Sequence, residues 1–169
     1  MGMLVMMKKG RYTNSDAVSK LIHYITRTRW DEDRAHELCS YGGMGVGCYL
    51  HPDQIIKQLL AVQQVYGISS RKGRRMYHEV FILNDEEWIN KNINMEMFAL
   101  ECCQIYFQNG HQVVCAIHYD DQKKLHIHFA INTINYMNGK KFHTSMKDVK
   151  IRGDIFNEIL KKYIYAANI

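Results

Sequence analysis

The chain has 169 residues, 47% of them hydrophobic and 23% charged, which is enough to bury a core and reads as a single domain over residues 1–169. A formal net charge of +5 suits a polyanionic partner. No apolar run reaches the roughly eighteen residues that span a bilayer, and MGMLVMMKKG is too short for a signal peptide, so membrane and secreted classes are excluded and a cytoplasmic protein is expected.

Residues 4–7 form a short apolar run and predict a first strand. Ser15 or Asp16 is placed to cap a helix over residues 17–29, with Val18, Leu21, Ile22 and Ile25 as its apolar stripe. Residues 30–50 read as a long connection. Its YGGMGVG segment (41–47) lacks the order and setting of a nucleotide cradle and predicts a tightly turned loop. His51-Pro52-Asp53 opens a second helix through Tyr66, stopped by Gly67. The basic loop 69–75 leads into a strand over residues 76–83. A third helix is expected over residues 92–108, closed by Asn109-Gly110.

Residues 113–119 and 125–133 predict two strands of a hairpin across the polar turn 120–124. Residues 135–141, with Asn138-Gly139, predict a tight turn into a short strand, and residues 148–163 a closing amphipathic helix. This mixed order predicts an α+β fold: a central antiparallel β-sheet with helices packed mainly on one face. The five cysteines show no C-x-x-C spacing and predict reduced thiols packed as small hydrophobes. Met6 stands where a myristoylation signal would need Ser or Thr, so lipidation is not expected.

The segment HYDDQKKLHIHFAIN, from His118 to Asn132, carries the chemistry. Side chains alternate faces along a strand at about 3.3 Å per residue, so His126 and His128 project from one face about 6.6 Å apart. An antiparallel partner brings His118 alongside. Three imidazoles on one sheet face can hold a metal and leave coordination positions open, as catalytic sites do. Asp120 either orients a ligand imidazole or caps the loop. The loop cations Arg71, Lys72, Arg74 and Arg75, with Lys140 and Lys141 beyond the hairpin, form a candidate phosphate-binding rim.

The histidine motif, with LIHYIT (21–26), YGGMGVG, the strand HEVFIL (78–83) and NGKKFH (138–143), resembles the relaxases, or mobilisation nucleases, of the histidine–hydrophobic–histidine endonuclease superfamily. The resemblance spans nearly the whole chain and implies a relaxase-like palm fold. It implies Tyr24 as nucleophile, with His23 as the adjacent rival and Tyr12 and Tyr41 as weaker ones, and His118, His126 and His128 as metal ligands. Asp120 then becomes a candidate to assist proton removal from Tyr24, and His118 another if only two histidines ligate.

The resemblance further implies nicking of single-stranded DNA at an origin of transfer, through a 5′-phosphotyrosyl intermediate and a free 3′-OH. An accessory DNA-binding protein and a coupling protein are the partners it implies. Mn²⁺ or Mg²⁺ is the expected ion, with Zn²⁺, Co²⁺ or Ni²⁺ also suited to imidazole. The rival readings are a rolling-circle replication initiator or transposase-type nuclease, and a non-catalytic nucleic-acid-binding domain with a structural metal.

Overall fold

The computed structural model describes residues 1–8, 12–47, 49–67, 73–83, 93–122 and 124–167. Five antiparallel strands form one sheet in the order β1-β3-β5-β4-β2: β1 Gly2–Met6, β2 Leu38–Met44, β3 Met76–Leu83, β4 His111–Tyr119 and β5 Leu125–Asn135. Four helices pack on it, α1 Ala17–Ile25, α2 Pro52–Val65, α3 Met95–Gln108 and α4 Met146–Ala167. The α+β class and antiparallel sheet stand as the sequence implied, but the helices divide between the faces, α3 and α4 on one and α1 and α2 on the other, rather than packing mainly on one. None of these helices is long and apolar enough to cross a membrane.

The two-residue period of the strands divides the core between the sheet faces. Leu4, Phe81, Ile127, Phe129, Ile131, Val113 and Ile117 project to one face and pack with α3 and α4, forming the larger cluster. Met76, Val114, Ala116 and Ala130 project to the other, under Val18, Leu21, Ile22 and Ile25 of α1 and Ile55 and Leu59 of α2. On the larger side, Glu79 is fully buried. It accepts from the Tyr106 hydroxyl (2.7 Å) and from the Arg152 guanidinium, which ties α4 to the sheet. Cys102, Cys103 and Cys115 are buried in this layer as expected, whereas Cys39 is exposed; all four are free thiols.

Three further expectations are corrected. Residues 30–50 are not one long connection: a 3₁₀ segment, Arg29–Glu37, leads into β2, and Tyr41–Met44 of YGGMGVG pair with Val113–Ala116. The glycines are there because β2 lies so close to β4 that a Cβ on Gly43 would collide with the Val113 carbonyl, while Gly45 turns the chain at φ +73°. The first helix ends at Ile25 rather than Arg29, and Asp16 stands at its start without a capping bond, its carboxylate held instead by Lys20 (2.7 Å). After β5 the chain makes a turn but no further strand, only an isolated bridge between Ile134 and Lys141.

Other local signals hold. Pro52 occupies the first turn of α2, and Gly67 follows its C-cap at φ +67°. Ser145 and Asp148 form a reciprocal capping box at the start of α4.

Candidate active site

The register of the β4–β5 hairpin sets His118 directly opposite His126, and the strand period brings His128 onto the same face. The ring centroids lie 4.4 Å (His118–His128), 4.9 Å (His126–His128) and 5.3 Å (His118–His126) apart. One ring nitrogen from each falls within 4.8 Å of the others. His36, Glu37 and Asp121 lie equally close together, but both Glu37 oxygens are already held by Arg27 and Arg34.

The hydrogen bonds behind the cluster decide which lone pairs face inward. His128 Nδ1 lies 2.8 Å from His78 Nε2, and His78 Nδ1 lies 3.0 Å from the Tyr12 hydroxyl. Among the described residues, His128 Nε2 is buried with no hydrogen-bond partner. An imidazole that donates from Nδ1 to His78 presents its Nε2 lone pair, and an uncompensated buried lone pair is costly unless something binds it. His126 similarly directs Nδ1 at the Lys124 carbonyl (3.3 Å). His118 differs: Nε2 donates to the Ile25 carbonyl (2.6 Å) and Nδ1 accepts from Arg27 Nη2 (3.2 Å), so an ion on His118 would take over one of these bonds.

Three imidazoles around an orphaned buried nitrogen fit a divalent metal. Burial holds the rings neutral at ordinary pH, the form a metal needs: His118 is lowered to about 4, His78 to about 3, and His126 and His128 are also lowered. His78→Ala is expected to weaken Mn²⁺ binding by about 10- to 100-fold, because His128 loses the partner that orients it. Calorimetric titration checks this, and an unchanged affinity would rule out an orienting role for His78.

Tyr24, on the last turn of α1, stands over the cluster, with its half-buried ring edge-on to His128 (5.7 Å) and to His78 (5.9 Å). The chain then leaves α1 through a Schellman motif, Thr28 N–H to the His23 carbonyl (3.0 Å) and Arg27 N–H to the Tyr24 carbonyl (3.4 Å). The left-handed position of that motif usually holds glycine. Here it is Arg27, at φ +51°. The turn sends the guanidinium back beneath the helix, 4.9 Å from the Tyr24 ring centroid and 2.8 Å from Glu37 Oε2, as well as against His118. Arg27 and Glu37 are both buried. One cation thus touches the tyrosine and one histidine of the cluster.

The model of the family described as "Relaxase: MobA/VirD2-like, nuclease domain" matches residues 24–165. The chain belongs to that family. No curated protein matches the chain individually. Relaxases of this family are DNA-nicking enzymes that act on single-stranded DNA and are typically metal-dependent.

Within the relaxase domain the remaining expected residues are placed as follows. His23 is buried, its nitrogens directed at Thr28 (2.7 Å) and Asp53 (3.3 Å), and none of its contacts is to the three histidines. Tyr41 donates to the Leu50 carbonyl from β2. Asp120 caps its turn by accepting from Lys124 N–H (2.9 Å), and its other oxygen lies 4.0 Å from His126 Nδ1. The Lys124 carbonyl is therefore the closer partner of His126.

Arg71 and Lys72 lie outside the described residues. Arg74 stacks on Tyr77 (4.6 Å), next to Gly73 and Lys141. Arg74, Arg75, Lys140 and Lys141 gather at the end of the sheet where Met76 pairs with Asn132, about 13 Å along β5 from His128 and about 20 Å from His126. Sequence reasoning missed Arg27 and the Tyr12–His78 line and left His78 without a role. The one local hint for Arg27 was a helix that ends without a glycine.

Proposed function

We propose that the domain nicks and rejoins one DNA strand at an origin of transfer through a covalent tyrosine intermediate, serving conjugative mobilisation in the cytoplasm. The observation that carries this reading is the position of Tyr24, edge-on to a histidine whose buried Nε2 is left open in a three-imidazole cluster. Tyr24 Oη attacks the scissile phosphorus, forming an O–P bond as the P–O3′ bond breaks. The leaving oxygen takes a proton and becomes a 3′-OH, while the 5′ phosphate stays on the tyrosine. Phosphodiester energy is conserved, so attack by a 3′-OH rejoins the strand without a nucleotide cofactor.

His118, His126 and His128 would hold a divalent ion, Mn²⁺ or Mg²⁺ in the cell, which would supply positive charge at the scissile phosphate. Arg27 holds the Tyr24 ring and His118 in fixed relation. Asp120 lines the same cleft as Tyr24, and in this reading it takes the phenolic proton. Arg74, Arg75, Lys140 and Lys141 bind the phosphate backbone farther along the strand, and an accessory DNA-binding protein and a coupling protein complete the assembly. Denaturing gels with labelled single-stranded oligonucleotides, tiled across DNA flanking the coding sequence, are expected to show an adduct that survives SDS. Chelation should abolish the adduct and Mn²⁺ or Mg²⁺ restore it. Cleavage without any adduct would make water the nucleophile and overturn the reading.

A further inference from the structure

Among the described residues, the helices leave part of the histidine-bearing sheet face uncovered. α1 and α2 pack over β2, β4 and β5 and over the Met76 end of β3. On the β1–β3 part, Val5, Met7, Val80 and Ile82 form the floor of an open cleft of about 240 Å³, and Tyr24 and His128 stand in its wall. Val5 pairs with Val80, and Val80 with His128, so floor and wall are neighbours across two strand pairs. Lys124 and Asp120 stand at its rim. The volume is below the roughly 300–1,000 Å³ of clefts that take drug-sized ligands, and suits a single planar ring system.

We infer that this cleft is a nucleobase subsite, which takes the base of one nucleotide flanking the scissile phosphate. The inference rests on the nicking reading above and specifies how the strand lies. A phosphodiester held at Tyr24 carries a sugar and base on each side, and continuity with the tyrosine wall puts one of those bases over the apolar floor. An unpaired base has flat faces whose burial is favourable and tolerant of sequence. The floor side chains carry no hydrogen-bonding groups, so they select for the presence and size of a base rather than its edge pattern. The same burial swings the adjoining phosphate toward Tyr24, so the subsite sets register at the cut.

The test uses the full chain and single-stranded oligonucleotides carrying one abasic site or one 2-aminopurine at successive positions. In the Tyr24→Phe background, which binds without reacting, a single position adjacent to the nick is expected to change 2-aminopurine emission on binding. An abasic site there should weaken binding about tenfold or more. Val5→Ser with Met7→Ala should shrink that abasic penalty to within about twofold, each variant being referred to its own intact oligonucleotide so that general loss of fold cancels. Abasic penalties spread evenly along the strand, or a penalty unchanged in the double variant, would overturn the subsite. The binding arm needs no chemistry: absence of any adduct from the unmodified chain overturns the nicking reading, while the position-specific penalty still decides the cleft.

Discussion

Tyr24→Phe is expected to lower adduct formation by roughly 10³-fold or more, the scale seen when an enzyme loses its nucleophile. The substitution removes one oxygen from a half-buried ring and keeps the edge-on contacts with His128 and His78. Melting temperature and Mn²⁺ affinity should therefore hold, since a change that leaves packing intact falls within about 0.5 kcal/mol. Gel detection of the adduct with calorimetry on the same preparation separates chemistry from folding. An adduct that persists would move the nucleophile elsewhere, and mapping of the labelled peptide would distinguish His23 from Tyr12. The geometry favours neither: His23 is directed at Thr28 and Asp53, and the Tyr12 hydroxyl is engaged by His78.

Arg27→Gly sets two effects against each other. A non-glycine residue in the left-handed region costs about 1–2 kcal/mol, so glycine relieves the backbone. Removing one partner of a buried ion pair costs about 3–5 kcal/mol, and Glu37 would keep only Arg34, whose side chain is 44% exposed. The loss wins by about 1–4 kcal/mol, which lowers the melting temperature by roughly 2–16 °C for a chain of this size. Adduct formation should fall by about 10²-fold, because the Tyr24 ring and His118 lose their shared holder and small misplacements are costly at a reacting centre. A melting temperature equal to or above that of the unmodified chain would show that the ion pair contributes nothing net. Arg27→Lys retains the charge but not the planar fork, so intermediate values are expected.

The histidine motif was legible because strand periodicity is local. Alternation in LHIHFAIN puts His126 and His128 on one face whatever surrounds them, and a short polar turn between two apolar runs makes His118 their antiparallel neighbour. α2 and β3 were likewise readable from apolar spacing, Pro52 and Gly67. β2 was hidden because its glycines satisfy a close approach to β4, and a contact with Val113 leaves no mark on the residues around Gly43.

Arg27 shows the same limit at the site. In LIHYITRTRW it reads as one of several surface cations after a helix, yet the fold buries it against Glu37, His118 and Tyr24. Glu37 and His118 lie 10 and 91 residues away. The faces of strands and the polarity of turns follow from neighbours along the chain, and these carried the α+β class and the three histidines. The line from Tyr12 through His78 to His128, the contact of Arg27 with His118 and the apolar cleft beside the tyrosine are made of residues remote in sequence. They exist only once β1, β3 and β5 lie side by side and α1 closes over them, because burial and pairing across strands are properties of the assembled sheet.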